Sequence, residues 1–100
     1  MAEGLVRRPL IVTNPQGLHA RPAAELVKLA NLFQSRIELI KQGQRVDAKS
    51  IIDLMTLAAT SGTELVLEVR GSDSRAAADA IEKLFLEMRD VEAGPDTSNP

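Results

Sequence analysis

The sequence contains no cysteine, no tryptophan and no tyrosine. Without cysteine there are no disulfides, no thiolate nucleophile and no thiolate zinc site, which fits a chain that folds in a reducing compartment. The only aromatic residues are Phe33 and Phe85. Readers of single-stranded nucleic acid stack bases on aromatic rings, so that class is excluded. The net charge of -2 offers no bulk attraction to nucleic acid or to anionic membranes. No apolar stretch is long enough to cross a bilayer, and Met1 to Pro9, with Glu3, Arg7 and Arg8, does not read as a signal peptide. A cytoplasmic location without membrane insertion is the expectation. One histidine among scattered carboxylates lacks the spacing of metal ligands, so no metal and no cofactor are expected.

What remains is a chain of 100 residues with 44% hydrophobic content. That suffices for one compact domain with a single apolar layer, but not for a deep substrate cavity. Residues 1–92 are expected to form the domain and residues 93–100, polar with two prolines, a flexible tail. No internal repeat is present.

Pro9 to Thr13 is short, apolar and β-branched, and reads as a strand. Asn14-Pro15-Gln16-Gly17 is turn chemistry. A helix follows, with Pro22 in its first turn and Ala23, Leu26, Val27, Ala30 and Phe33 on one apolar face. Alternation between Arg36 and Lys41 signals a strand, Gln42-Gly43 a turn, and Arg45-Val46 a return strand. The run Ile51 to Ala58 suits strand or helix by composition. Ser50 as N-cap and the stop at Thr60-Ser61-Gly62 favour a short helix. Thr63 to Arg70 alternates, with Leu65, Leu67 and Val69 on one face and Glu64, Glu68 and Arg70 on the other. Ser72 or Asp73 can cap a last helix, whose stripe is Ala77, Ala80, Ile81, Leu84, Phe85 and Met88. The order βαββαβα predicts an α+β, two-layer sandwich: four strands wet on one face and covered by three helices on the other.

Candidate chemistry concentrates at Gly17-Leu18-His19-Ala20-Arg21-Pro22-Ala23. Imidazole is a nucleophile near neutral pH. A helix start offers unpaired N–H groups and a partial positive charge to an anion. A guanidinium, here that of Arg21, matches phosphate oxygens. An imidazole N–P bond is labile, as reversible transfer requires. A lone histidine at a helix start also serves as a cap or surface residue, so these residues alone leave both readings open.

The segment Asn14 to Ala23 resembles the active-site signature of HPr, the histidine-containing phosphocarrier family of the phosphoenolpyruvate-dependent phosphotransferase system. A second motif, Asp47-Ala48-Lys49-Ser50-Ile51-Ile52-Asp53-Leu54-Met55, is similar to the family's regulatory serine segment. The resemblance runs from about Pro9 to Met88 and implies an open-faced sandwich with a four-stranded antiparallel sheet. It implies that His19 takes a phosphoryl group on Nδ1 from enzyme I. Arg21 and the backbone N–H groups of Ala20 and Arg21 would hold the group, and an EIIA-type domain would accept it. The carrier would be a stoichiometric, monomeric shuttle rather than an enzyme. Ser50 would be a target of HPr kinase/phosphorylase, and Leu18, Lys49, Ile51 and Met55 would serve docking. HPr proteins often carry glycine where this chain has Asp53 and Ala58. Asp53 adds a negative charge near the docking helix, leaving open a sugar-uptake or a regulatory branch.

Two other classes compete. A regulatory binding module controlled by phosphorylation of Ser50 would keep the fold, but such relatives lack the active histidine. An enzyme using His19 as general base would need a pocket and partner groups that this small core hardly offers.

Overall fold

The computed structural model describes residues 4–93. Seven elements follow in the order β1 (Leu5–Ile11), α1 (Ala20–Ala30), β2 (Arg36–Lys41), β3 (Gln44–Asp47), α2 (Ile51–Thr56), β4 (Glu64–Arg70) and α3 (Ser74–Ala93). The strands form one antiparallel sheet in the order β1-β4-β2-β3. This is the expected α+β architecture. Its helices cover one face, because the alternating strands turn one apolar side inward and leave the other wet.

The fully buried side chains Leu26, Ile37, Leu39, Leu54, Leu57, Leu67 and Ile81 come from both layers. Each such burial contributes about 1.5–3 kcal/mol. Ala77, Ala78, Ile81, Phe85 and Met88 form the buried stripe of α3, while Ala80 and Leu84 are half-buried. On the inner side of β1, Arg8 Nη1 donates to Asp79 at 2.6 Å and Glu82 at 2.9 Å, tying the strand to α3.

Three boundaries differ from expectation. The first strand spans Leu5–Ile11 rather than Pro9–Thr13. Arg7 and Arg8 hid its start, since a charged pair in sequence does not read as strand. Pro9 is tolerated because β1 is an edge strand. Asp73 stands just before α3, but its carboxylate accepts from the amides of Gln34 and Ser35, both at 2.9 Å, and from Ser35 Oγ at 2.5 Å. It thus pins the α1–β2 loop. Finally, α3 runs through Ala93, so the helix takes in the first residue of the expected tail. The rest of that tail, residues 94–100, and residues 1–3 lie outside the described residues.

Candidate functional site

After β1 the chain folds into a turn whose bonds are local. The amide of Gly17 donates to Asn14 O at 3.0 Å, and Asn14 Nδ2 donates back to Gly17 O. Asn14 is fully buried. Gly17 has φ +76°, a backbone region that glycine enters without cost. Leu18 then donates its amide to Ala59 O at 2.8 Å and buries its side chain. The turn is therefore anchored to the segment after α2 just before it delivers His19.

His19 is the N-cap of α1, with extended backbone at φ -85° and ψ -170°. Its carbonyl accepts the Ala23 amide at 2.9 Å and starts the helix, while its half-buried side chain does not cap. The first amides of a helix have no intrahelical acceptor. Here Pro22 has no N–H and Ala23 is used by His19, which leaves the amides of Ala20 and Arg21. Those are the two donors that the family resemblance implies. Arg21 and Ala20 are both exposed. A helix N-terminus carries a partial positive charge, and here it lies next to an imidazole and, two residues on, an exposed arginine.

Helix α2 packs against α1, and contacts at both ends fix their relative direction. At the C-terminal end of α1, Asn31 Nδ2 reaches Val27 O at 2.9 Å and Lys49 O at 3.5 Å, and Lys49 Nζ donates to Phe33 O at 2.8 Å. At the N-terminal end, Leu18 meets Ala59. The two helices run antiparallel, so Met55 lies toward His19 and Ser50 toward the far end. An 11-residue helix is about 16 Å long, and Ser50 and His19 lie toward its opposite ends.

Ser50 caps α2: its Oγ accepts the Asp53 amide at 3.2 Å. Asp47 Oδ1 accepts the Lys49 amide at 2.9 Å, and Asp53 Oδ2 accepts the Asp47 amide at 3.3 Å. Leu54 turns into the core, while Ile51, Ile52 and Met55 stay exposed.

Of the expected docking residues, one is buried and another is already hydrogen-bonded. Leu18 is 5% exposed, so its side chain supports the turn from within and offers no surface. Lys49 is half-buried and its ammonium donates to the Phe33 carbonyl at 2.8 Å, which uses one of its three donors. Conversely, Ile52 is 75% exposed and was not among the expected docking residues. Its spacing of three from Met55, on the side away from Leu54, was the available signal. Among the described residues, no helix is long and apolar enough to cross a membrane, and no group of three or more His, Cys, Asp or Glu is placed to hold a metal ion.

Residues 6–87 match the family model described as the PTS HPr component phosphorylation site. The chain belongs to the HPr family. It is 48% identical over 81 residues to the phosphocarrier protein HPr of Treponema pallidum, covering 81% of this chain and 92% of that protein. A crystal structure of HPr from Bacillus anthracis superposes with a TM-score of 0.78 at 36% identity, over 82% of this chain and 98% of that one. The HPr-like protein Crh of Bacillus subtilis is 45% identical over 80 residues, covering 80% of this chain and 91% of that protein. A solid-state NMR structure of the Crh dimer matches with a TM-score of 0.57 at 42% identity, over 85% of this chain and 96% of that one. HPr is a phosphocarrier, and the helix start at His19 gives that role a physical basis.

Proposed function

We propose that His19 is the phosphoryl acceptor and that this chain shuttles phosphoryl groups from enzyme I to EIIA-type domains. The lone pair of His19 Nδ1 attacks the phosphorus of the donor's phosphohistidine. The Nδ1–P bond forms as the donor's N–P bond breaks, and the electron pair of that bond returns to the donor ring. Charge spreads over the three equatorial oxygens in transit. The Ala20 and Arg21 amides and the Arg21 guanidinium stabilise it without a covalent trap. The second transfer repeats the step with the roles reversed. The observation that carries this reading is the position of His19 as an N-cap whose side chain leaves the helix amides to another anion.

The exposed Ile51, Ile52 and Met55 of α2, of which Met55 lies nearest the His19 end, form the contact surface for both partners. Because the carrier ends each cycle unchanged only after its partner has reacted, it is a stoichiometric component and not a stand-alone enzyme. We take it to act as a cytoplasmic monomer. HPr kinase/phosphorylase would modify Ser50. A phosphate there adds about two charges at the α2 start and works by repelling a partner from the α2 surface.

The test is incubation with phosphoenolpyruvate and enzyme I. The expected adduct is acid-labile, alkali-stable and lost in His19→Ala. No label, or a label that survives that substitution, overturns the assignment. The 45% identity to the HPr-like protein Crh favours a second reading as a regulatory module switched at Ser50. An acid-stable, ATP-dependent label lost in Ser50→Ala, with no phosphohistidine, would establish it.

A further inference from the structure

The open face of the sheet carries an arrangement that phosphotransfer does not use. Cross-strand neighbours there are Arg36 and Arg70, then Glu38 and Glu68, then Ile40 and Val66. On β1, Arg7 stands opposite Glu68 and Pro9 opposite Val66. Like charges directly opposite one another on a sheet are destabilising. The carboxylate pair is compensated, because Arg45 Nη1 donates to Glu38 at 2.8 Å and also to Glu68. The arginine pair is not compensated to that degree. Arg36 Nε stands 3.7 Å from Glu38 and Arg70 Nη2 stands 3.6 Å from Glu68, while Arg7 Nε is 3.8 Å from Glu68.

Donor counting shows the imbalance. Each guanidinium has about five N–H donors, so Arg7, Arg36, Arg45 and Arg70 carry about twenty, against about eight acceptor sites on the carboxylates of Glu38 and Glu68. The side chains of Arg36, Arg70 and Arg7 are 75%, 56% and 58% exposed, whereas Glu68 is 9% exposed beneath them. The carboxylates are spent within the network and the cations present their surplus outward. Of the other acids on this face, exposed Asp47 stands opposite Glu38 and also accepts the Lys49 amide, and Glu64 stands at the opposite corner, so this end of the face holds four guanidinium groups against three carboxylates. Arg36, Glu38, Arg45, Glu68 and Arg70 line a shallow depression of about 320 Å³. Next to this cationic corner lies an apolar row of Pro9, Val66 and Ile40, with Ile11 beyond it, and Ile11 is 51% exposed.

The geometry points to a docking surface for an acidic segment of a partner protein, separate from the phosphotransfer site. A small inorganic anion would meet Glu38 and Glu68 at the floor of the depression and would leave the apolar row unused. A peptide reaching across with carboxylates on the guanidinium edges would use both. Arg70 and Val66 are four residues apart on β4, about 13 Å along a strand. The fitting segment therefore has an acidic pair about 13 Å from an apolar pair. Since α1 covers the other face, such a partner binds while His19 transfers its group.

The test uses the full chain, ¹⁵N-labelled, and a synthetic octapeptide with two glutamates followed, four residues on, by two leucines. Amide shifts are expected in residues 36–40 and 66–70, not at His19. Arg36→Gln with Arg70→Gln should weaken binding at least tenfold and Val66→Ser severalfold, with phosphorylation by enzyme I unchanged. Equal binding by the double variant, or no sheet-face shifts at millimolar peptide, overturns the proposal. So do equal shifts with inorganic phosphate, which would make this a small-anion site. Tighter, arginine-dependent binding to phosphatidylglycerol vesicles would make it a membrane surface instead.

Discussion

A β-carbon on Gly17 would stand 2.6 Å from the carbonyl oxygen of Ala59, the same oxygen that receives the Leu18 amide. The turn that presents His19 and the segment after α2 are thus in backbone contact, and only a residue without a side chain fits between them. Gly17→Ala combines a left-handed backbone, costing about 1–2 kcal/mol, with this collision. We expect a stability loss of about 2 kcal/mol or more in urea denaturation, and slower phosphorylation, because His19 is displaced. A variant as stable and as active as the parent would show that the contact is not needed.

Ala58 presents the converse case. It follows α2 at φ +50°, a left-handed conformation at the helix C-terminus where glycine is the usual occupant. Ala58→Gly should relieve about 1–2 kcal/mol of backbone strain. It should lose about 0.4–1 kcal/mol to the freer unfolded chain. The expected net gain is about 0.5–1 kcal/mol in the urea midpoint at unchanged slope. A net loss would mean that the methyl group contributes packing that outweighs its strain.

These two positions mark what could be read in advance. Periodicity located α1, β2, β4 and the buried stripe of α3, because those segments bury one side and the period records it. Ser50 and the stop after it placed α2, and Gln42-Gly43 gave the hairpin, both residues having positive φ. Leu18 was misjudged because its burial depends on a contact with Ala59, distant in sequence. The bond from Lys49 to the Phe33 carbonyl was not legible, because a charged side chain gives no local sign of the distant acceptor it will reach. The start of β1 was missed because Arg8 faces inward to α3, and the ion pairs that permit this are more than 70 residues apart. Local patterns carried the layers and the helix start under His19. Long-range polar contacts, which set the corrections, have no period.

Substitution separates the observed capping by Ser50 from the proposed regulation through it. As N-cap it accepts the Asp53 amide, so Ser50→Ala should cost about 1 kcal/mol. Aspartate caps as well as serine, so Ser50→Asp should stay within about 0.5 kcal/mol of the parent while placing a charge on the docking side. If Ser50 regulates through its partner surface, transfer from enzyme I falls in Ser50→Asp and holds in Ser50→Ala. Equal transfer by both folded variants would confine Ser50 to capping.

Acid should unfold the protein through two carboxylates held below the usual carboxylate range. Glu68 is lowered chiefly by its hydrogen bond from Arg45, with Arg7 and Arg70 adding to it. Asp73 is lowered chiefly by Ser35 Oγ, then by the Gln34 amide. In the unfolded chain both groups titrate near their ordinary values, about pH 4. The folded state therefore holds fewer protons than the unfolded state in the window below that. By linkage, stability is complete above about pH 5 and falls as pH drops through the lower folded-state values. Urea midpoints from pH 7 to pH 3 should show a plateau followed by a decline. Asp73→Asn should start lower, since it loses the charge that fixes residues 34 and 35, and then decline less steeply. Glu68→Gln should likewise flatten the acid limb, while freeing the arginines around it to repel one another. If the limb keeps its slope in the double variant, other carboxylates govern acid unfolding, and the Arg45–Glu68 and Ser35–Asp73 bonds contribute no pH-dependent stability.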